Sequence, residues 1–331
     1  MSERLVQLQT WLREQTGQDC ELAVASSDAS FRRYFRIKRE NGSQIVMDAP
    51  PKQEDCRPFI HVAALLREAG LNAPEVIKQD LDAGFLLLSD LGSTTYLDVL
   101  NSTSADRLYG DALRALIAIQ AGVDITSAAL PTYDESLLQT ELNLFKDWYL
   151  EKHCNITLNE SQQAVWQQTC KILIDSAVGQ PKVCVHRDYH SRNLMQVENG
   201  LNPGILDFQD AVIGPVTYDL VSLLRDCYIS WPRERVVTWV EEFYKQAVHS
   251  GLIDSDKVSE KQFMTWFELM GVQRHLKAIG IFARLLHRDE KQGYVRDIPR
   301  TLAYVMDVCQ RSPVLQDFHK LLLSLALADH A

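Results

Sequence analysis

The residues of this chain that are best suited to chemistry follow a short apolar strand, in the stretch VCVHRDYHSRNLM at residues 183–195. Within it, Asp188 and Asn193 are five residues apart, in the pattern H-R-D-x-x-x-x-N. In that pattern the Asp accepts the proton of a substrate hydroxyl and the Asn holds a metal ion. Because polar side chains beside a buried strand cost desolvation free energy unless something pairs with them, the stretch predicts a functional site.

A second carboxylate follows in the sequence GILDFQD, where Asp207 comes after a strand-like segment and precedes Phe208. This arrangement matches the D-F-G element, whose Asp chelates Mg²⁺. An amide and a carboxylate together suit hard Mg²⁺, which keeps several waters and binds nucleotide phosphates. Asp188 as the catalytic residue, with Asn193 and Asp207 as metal ligands, predicts phosphoryl transfer that depends on ATP and Mg²⁺. The alternative is two unrelated polar turns that cap local structure.

The composition of the chain narrows the classes of protein and partner. Its 331 residues are 46% hydrophobic and 24% charged, as in ordinary soluble globular proteins. The net charge of −10 argues against nucleic acid as a partner, because binding to phosphates needs clustered cations. The seven cysteines form no C-x-x-C pair, the first residues lack an apolar signal core, and no stretch is long enough to span a bilayer. We expect a cytoplasmic protein with no membrane partner and no obligate protein partner.

The elements that must position these residues change along the chain. The first part predicts an amphipathic helix that ends near Gly17, five short strands, and a helix from about Pro58 to Ala69. The later part is mostly helical, interrupted by the strand and the hairpin that carry the motifs. The predicted fold class is α+β. A small five-stranded nucleotide-binding lobe at residues 1–92 ends in a hinge, and a larger helical lobe at residues 93–331 holds the catalytic loop and the substrate site.

The motifs also carry a family resemblance. The segments VHRDYHSRNLM and ILDFQDAVIGPVTYDLVSLLRD resemble the aminoglycoside phosphotransferase and choline kinase superfamily, which shares the protein-kinase fold. The segments SDASFRRYFRI, FLLLSDLG and QRHLKAIGIFARL are similar to the bacterial anomeric kinases for N-acetylmuramate and N-acetylglucosamine, which serve peptidoglycan recycling. The resemblance implies a bilobal protein-kinase-like fold, ATP and Mg²⁺ as cofactors, and a small amino sugar as the partner.

The length of one segment distinguishes small-molecule kinases from protein kinases. A protein kinase needs an activation segment after its metal-binding Asp to dock a peptide. Here residues 209–213 alone separate Phe208 from Gly214 and Pro215. The chain has no room for a peptide platform there, so we expect a small-molecule substrate.

The nucleotide-binding residues are less clearly marked in the sequence. The turn SSDAS lies between two predicted strands, and its backbone N–H groups and the hydroxyls of Ser27 and Ser30 could contact phosphates. A plain hairpin turn is the alternative, since the turn lacks the glycines of a G-x-G-x-x-G loop. In the segment FLLLSDLG, Ser89 and Leu91 resemble the kinase hinge, whose backbone binds the adenine edge.

The third predicted strand lacks the Lys that pairs with phosphates and with a helix Glu in kinases. Met47 and Asp48 stand in its place. We expect Arg33, on the preceding strand, to supply the cation. Arg32 and Arg36 are alternatives, as is a solvated charged face.

Positive charge around the motifs suggests the kind of substrate. Kinases for polycationic aminoglycosides line their cleft with carboxylates, whereas this chain carries cations near its motifs. N-acetylmuramate has a lactyl carboxylate, for which Arg is a natural partner. The candidate substrate-binding residues are Arg187, Arg192, Arg225, Arg274 and His275. The alternative is that they are ordinary surface or structural cations.

The sequence therefore predicts an ATP-dependent kinase for the anomeric hydroxyl of an amino sugar, and two alternatives remain. One is another aminoglycoside- or choline-type small-molecule kinase. The other is a degenerate kinase that acts as a nucleotide-binding regulator, which the missing Lys suggests and the intact Asp188, Asn193 and Asp207 argue against. The sequence leaves open the sugar range, the choice between ATP and GTP, and the oligomeric state.

Overall fold

The computed structural model describes residues 3–27, 31–40, 42–198 and 200–327. The chain forms two compact units, one within residues 1–123 and 192–211 and the other within residues 124–191 and 212–331. The predicted boundary between lobes after residue 92 stays a prediction, and residues 93–123 belong to the first of these two units.

The described residues contain nine strands and eleven α-helices. The strands are β1 (Ala23–Ser27), β2 (Arg33–Arg39), β3 (Gly42–Asp48), β4 (Val76–Asp80), β5 (Phe85–Ser89), β6 (Lys182–Val185), β7 (Leu194–Met195), β8 (Gly204–Ile205) and β9 (Val212–Pro215). The helices are α1 (Glu3–Thr16), α2 (Arg57–Glu68), α3 (Tyr96–Val99), α4 (Ala105–Gly122), α5 (Glu135–Leu144), α6 (Glu160–Val178), α7 (Tyr218–Leu224), α8 (Arg233–His249), α9 (Glu260–Asp289), α10 (Ile298–Arg311) and α11 (Gln316–Ser324). A π-helical segment, Phe145–His153, continues α5, and 3₁₀ turns lie at Gln292–Asp297 and Pro313–Leu315. None of the helices seen in this part of the chain is long and apolar enough to cross a membrane.

The first unit is built on an antiparallel sheet with the strand order β1-β2-β3-β5-β4. The five strands predicted from the sequence are therefore confirmed. Along β2, Phe35 and Ile37 are buried while the intervening Arg36 is half-buried, as the alternation of a strand requires. The predicted first helix is also confirmed, since α1 ends one residue before Gly17, whose φ of 72° is the left-handed conformation common at helix ends.

Helix α1 and the sheet share one hydrophobic core. Leu8, Trp11 and Leu12 recur at helical spacing and are buried against the sheet residues Phe35 and Phe85. The rings of Trp11 and Phe85 lie 5.7 Å apart between centroids. Burial of these large apolar side chains is the main favourable contribution to the stability of this unit.

The second unit is mostly helical and is organised around the 30-residue helix α9. Helix α9 packs against α5, α6, α7, α10 and the π-helical segment. At Gly280 the approach is so close that an added Cβ would lie 2.3 Å from the carbonyl carbon of Leu144. Beside these helices, β6 pairs with β9 in antiparallel register, from Lys182 opposite Pro215 to Val185 opposite Val212. This pair carries the loop that follows β6.

Candidate active site

The hairpin of β7 and β8 brings the two predicted metal ligands together. Asn193 directly precedes β7, and the N–H of Leu206, after β8, donates to its carbonyl at 2.9 Å. The side-chain amide of Asn193 donates to one carboxylate oxygen of Asp207 at 3.2 Å. The amide of Gln209 donates to the other oxygen at 2.8 Å. The structure thus places an amide and a carboxylate side by side, and their oxygens are the ligands that a hard divalent cation prefers.

Asp207 is held in a strained backbone conformation. Its φ of 63° lies in the left-handed region, which non-glycine residues adopt rarely and where functional residues are over-represented. The next residue provides the support, since Phe208 is fully buried and its ring centroid lies 4.9 Å from that of Phe59 on α2. The aromatic anchor fixes the backbone and leaves the carboxylate of Asp207 half-buried.

A buried carboxylate fixes the loop that carries Asp188. Asp219, in the first turn of α7, accepts the N–H of His186 at 2.6 Å and the N–H of Arg187 at 3.0 Å. Burial raises the pKa of Asp219 to about 7, although both hydrogen bonds favour its charged form. Arg187 has a left-handed backbone with a φ of 77°. The two hydrogen bonds therefore hold an uncommon backbone conformation in place directly before Asp188.

A second buried carboxylate holds the other end of the same loop. Asp226 accepts the N–H of Ser191 at 3.0 Å and also accepts its hydroxyl. Between the two anchors, the N–H of Asp188 donates to Nδ1 of His186 at 3.2 Å. The backbone on both sides of Asp188 is therefore fixed by hydrogen bonds to buried groups.

Neighbouring cations set the charge of Asp188. Burial raises its pKa, but the positive charges of Lys277, His190 and Arg274 outweigh burial and hold the pKa below its usual range. Lys277 and Arg274 both belong to α9. Asp188 is therefore ionised at neutral pH, which is the form that can accept a proton.

Glu141 on α5 organises the cations around this loop. One of its carboxylate oxygens binds Lys277 at 2.9 Å and Arg187 at 2.6 Å. The other accepts the hydroxyl of Tyr133 and, at 3.2 Å, the amide of Gln273. Burial opposes ionisation of Glu141, but its two cations keep its pKa below the usual value. A buried charge is tolerated when it is paired and hydrogen-bonded in this way.

The predicted substrate-binding residues do not form one group. The guanidinium of Arg187 is engaged by Glu141, and Arg274 is buried close enough to Asp188 for the two charges to interact. Arg192 begins the segment that belongs to the first unit. The structure places Arg187 and Arg274 beside Asp188, and the substrate role of all three arginines stays a prediction.

The other two predicted substrate-binding residues belong to a buried cluster. The Nε2 atom of His275 lies 2.8 Å from the carbonyl oxygen of Arg225, and its ring stacks on Tyr304 with centroids 4.9 Å apart. Burial lowers the pKa of His275 to about 3, so the imidazole is neutral. Arg225 lies over the same Tyr304 ring and pairs with Asp307 at 3.7 Å. These contacts give both residues a structural role, and a role in substrate binding remains a prediction.

Of the predicted phosphate-binding residues, Ser27 and Arg33 belong to the first two strands of the sheet. Ser30 lies outside the described residues, and Ser27 ends β1, where its side chain is not described. Arg33 donates from Nε at 3.0 Å to the carboxylate of Asp48, which is fully buried. Arg33 is therefore engaged by a protein carboxylate, and its predicted contact with phosphate stays untested.

Ser89 and Leu91 lie at the end of β5, where the sequence predicts the hinge. The N–H of Ser89 donates to the carbonyl of Glu75 at 3.0 Å, and its hydroxyl accepts the N–H of Glu75 at 2.8 Å. The side chain of Leu91 packs on Gly204, where an added Cβ would lie 3.0 Å from Cδ1. Because the N–H of Ser89 is engaged within the sheet, a hinge contact by Ser89 would have to use its carbonyl.

The sequence reasoning missed the central role of Glu141, although a signal was present. Leu138, Glu141, Leu142 and Phe145 recur at helical spacing, so the carboxylate falls on the buried stripe of α5. A carboxylate on such a stripe needs cationic partners. Its partner Lys277 could not be recognised in the same way. Nearly every residue around Lys277 on α9 is buried, so the apolar residues of this helix do not mark one buried face.

Comparison with known proteins gives consistent matches over most of the chain. A model of the phosphotransferase enzyme family matches residues 21–254. A protein of Pseudomonas aeruginosa named N-acetylmuramate/N-acetylglucosamine kinase is 52% identical over 305 aligned positions, which cover 92% of this chain and 88% of that protein. A protein of the same name from Pseudomonas putida is 47% identical over 333 aligned positions, with 97% and 96% covered.

Solved structures with the same fold include a choline kinase and an aminoglycoside phosphotransferase. The choline kinase of Streptococcus pneumoniae superposes with a TM-score of 0.63 at 14% identity, covering 92% of this chain and all of that one (100%). The ADP-bound aminoglycoside phosphotransferase superposes with a TM-score of 0.61 at 15% identity, with 91% and 98% covered. Identities this low carry an argument about the fold alone. The two superpositions confirm the predicted fold class, which is α+β and protein-kinase-like.

Proposed function

This chain belongs to the phosphotransferase enzyme family, and we propose that it is an ATP-dependent kinase for amino sugars. It transfers the γ-phosphoryl group of ATP to the anomeric C1 hydroxyl of N-acetylmuramate and N-acetylglucosamine, in cell-wall recycling. The names of the relatives at 52% and 47% identity support this substrate class. The observation that carries the proposal is the ionised Asp188, fixed between two buried carboxylates at the motif spacing from Asn193.

Asp188 acts on the hydroxyl of the acceptor sugar. The transition state of phosphoryl transfer is loose, so the position of the attacking oxygen matters more than strong activation. An anomeric hydroxyl is more acidic than other sugar hydroxyls because the ring oxygen withdraws electrons. Asp188 orients O1 and takes its proton while the bond from O1 to the γ-phosphorus forms and the bond to the leaving ADP oxygen breaks.

Asn193 and Asp207 would hold Mg²⁺ through an amide oxygen and a carboxylate oxygen. A bound Mg²⁺ supplies positive charge that neutralises the phosphate oxygens. The two side chains already lie in contact at the hairpin of β7 and β8. A carboxylate and an amide fit an ion that takes its remaining ligands from water and phosphate.

The charge around Asp188 favours an uncharged or anionic sugar over a polycation. Lys277 and Arg274 both place positive charge near Asp188. An aminoglycoside would bring its ammonium groups toward these like charges, which is unfavourable. Glu141 already pairs with Lys277 at 2.9 Å, so the names of the relatives are the main support for the amino sugar over the aminoglycoside alternative.

A cytoplasmic location fits the same function. All seven cysteines are free, as in a reducing compartment. ATP, the phosphoryl donor of the proposal, is a cytoplasmic metabolite.

A product analysis tests the function directly. The protein is incubated with ATP and Mg²⁺ and with N-acetylmuramate, N-acetylglucosamine, choline or kanamycin, and the products are identified by phosphorus NMR and a reducing-end assay. We expect 1-phosphates of the two amino sugars, which lack a reducing end. A 6-phosphate keeps its reducing end and would contradict the anomeric assignment, while turnover of choline or kanamycin alone would favour the alternative kinases.

A further inference from the structure

Arg187, which directly precedes Asp188 in the chain, is bound through its backbone and through its side chain. Its N–H donates to Asp219 at 3.0 Å, and its carbonyl accepts the hydroxyl of Ser222 at 3.4 Å. Its guanidinium donates to the carboxylate of Glu141 at 2.6 Å. Arg187 has a φ of 77°, and a non-glycine residue keeps such a left-handed conformation only where its surroundings hold it. The side chain therefore adds a further attachment to the turn that presents Asp188.

The carboxylate of Glu141 is itself fixed on both of its oxygens. Only 5% of the Glu141 side chain is exposed. The oxygen that binds Arg187 also binds the ammonium group of Lys277 at 2.9 Å. The other oxygen accepts the hydroxyl of Tyr133 and, at 3.2 Å, the amide of Gln273. Glu141 therefore cannot move away from Arg187 without breaking contacts to other parts of the second unit.

The same contacts lead back to the carboxylate that binds the backbone of the loop. Lys277 also donates to the hydroxyl of Tyr218 at 2.8 Å. The ring of Tyr218 meets that of Tyr133 edge-on, with 5.3 Å between centroids. Tyr218 directly precedes Asp219 at the start of α7. The carboxylates that bind the backbone and the side chain of Arg187 are therefore connected, so displacement of one disturbs the other.

We propose that Glu141 is a positioning residue for Asp188, which it holds in place through the side chain of Arg187. A charge-assisted bond is stronger than a neutral one, and here it joins α5 to the residue next to the base. Because a small misplacement of a reacting group lowers the rate steeply, Glu141 acts on the rate and not on the affinity for the sugar. The guanidinium of Arg187 then serves the loop and not a substrate carboxylate. The inference rests on the proposed phosphoryl transfer with Asp188 as the base.

Steady-state kinetics with two sugars test this role. We expect Glu141→Gln, which keeps the shape but loses the charge, to lower kcat about 10- to 100-fold. KM for N-acetylmuramate and N-acetylglucosamine, and the affinity for the non-hydrolysable ATP analogue AMP-PNP, should stay within about twofold. The matched control is Glu268→Gln on α9, which should keep a normal kcat although its carboxylate also binds two arginines, Arg311 at 2.7 Å and Arg233 at 3.2 Å. A normal kcat in Glu141→Gln, or a loss confined to KM, would overturn the proposal.

A second variant shows whether Glu141 acts through Arg187. Arg187→Gln removes the same contact from its other side and should lower kcat by a similar factor for both sugars. The variant with both changes should be no slower than the slower single variant, because residues that act through one contact are not additive. Multiplied losses would reject the connection. A rise of KM for N-acetylmuramate alone would also reject it, since Arg187 would then bind the lactyl carboxylate that N-acetylglucosamine lacks.

If Glu141→Gln does not fold, Arg187→Gln decides, because Glu141 then still pairs with Lys277. Hydrogen exchange separates this inference from the proposed function, since it needs no substrate. Deuterium uptake by the peptide that spans residues 186–191 should be about tenfold faster in both variants than in the wild type, while uptake by α8 and by the control variant Glu268→Gln should not change. If the wild type phosphorylates neither sugar, the proposed function fails and exchange alone decides. Unchanged uptake by the loop, or an equal rise in α8, would reject the positioning role.

Discussion

The two units hold their candidate catalytic residues in different ways. In the second unit, the backbone around Asp188 is bound by two buried carboxylates, Asp219 and Asp226. In the first unit, the carboxylate of Asp207 is half-buried and accepts hydrogen bonds from the side-chain amides of Asn193 and Gln209. The backbone of both residues is fixed, but the carboxylate of Asp207 is held by side-chain amides that can rotate.

The difference matches the tasks that we propose for the two residues. A group that orients a hydroxyl and accepts its proton gains from a fixed position, because misplacement raises the barrier steeply. A metal ligand has to exchange its amide partners for a cation each time that the nucleotide and its metal ion bind. The comparison therefore predicts that changes at Asp207 remove activity at little cost in stability, whereas changes beneath the Asp188 loop affect stability as well.

The largest effect is expected for Asp207→Ala. Loss of the carboxylate ligand removes charge stabilisation worth several kcal/mol, so kcat should fall by about 10⁴-fold or more at saturating Mg²⁺. The free energy of unfolding in urea should change by less than about 1 kcal/mol, since the carboxylate is half-buried and Phe208 still anchors the backbone. The control is Asp82→Ala, an exposed carboxylate in the turn before β5 that should leave both measurements unchanged. A normal rate in Asp207→Ala would reject the metal assignment.

The next effect in size is expected for Asp188→Asn. The amide keeps the shape and a hydrogen-bond acceptor but cannot take the proton, so kcat should fall by about 10²- to 10⁴-fold while KM changes little. Steady-state kinetics with N-acetylmuramate measure both constants. The affinity for AMP-PNP serves as the internal check, because the nucleotide site should be intact. Near-normal turnover would show that Asp188 is not the base.

The sequence predicted the parts of the site that depend on local spacing. Asp188, Asn193 and Asp207 could be proposed because their separation along the chain follows from the loop and hairpin that carry them, and their roles stay predictions. The five strands of the sheet were found because alternation and turn residues are local properties. In these cases the information lies within a few residues of the feature.

The sequence does not show in the same way which residues pair with the charged side chains. Arg33 bonds to Asp48, 15 residues away, and Arg4 reaches the same carboxylate across 44 residues. His275 contacts the carbonyl of Arg225 across 50 residues. Packing of whole elements decides such pairs, and a sequence shows a cation without showing which carboxylate neutralises it.

A stability effect of moderate size is expected for Asp219→Asn. The amide can accept one of the two loop N–H groups, but its own N–H₂ faces the other, which leaves a buried donor unpaired. We expect the free energy of unfolding to fall by about 3 kcal/mol, the cost of a broken buried hydrogen bond that leaves its donor unpaired. The rate should also fall because the Asp188 loop is loosened. Asp175→Asn, on the exposed face of α6, is the control in urea unfolding. If both variants lowered the free energy of unfolding by the same small amount, the contrast between the two units would be removed.

The smallest effect concerns the pH dependence of the second unit through His275. Its pKa is about 3 in the folded chain and near 6.5 in a model peptide, because burial disfavours the charged form. The unfolded chain therefore binds this proton first, so His275 destabilises the fold as the pH falls from about 6.5 toward 3. Between pH 7 and pH 5 the wild type should lose about 2 kcal/mol that a His275→Gln variant does not lose. Urea unfolding of both proteins at the two pH values isolates this difference, because all other titrating groups are shared. If the free energies of unfolding of the two proteins fell equally between pH 7 and pH 5, His275 would be accessible to protons in the folded chain. The second unit would then be less rigid than its buried hydrogen bonds indicate.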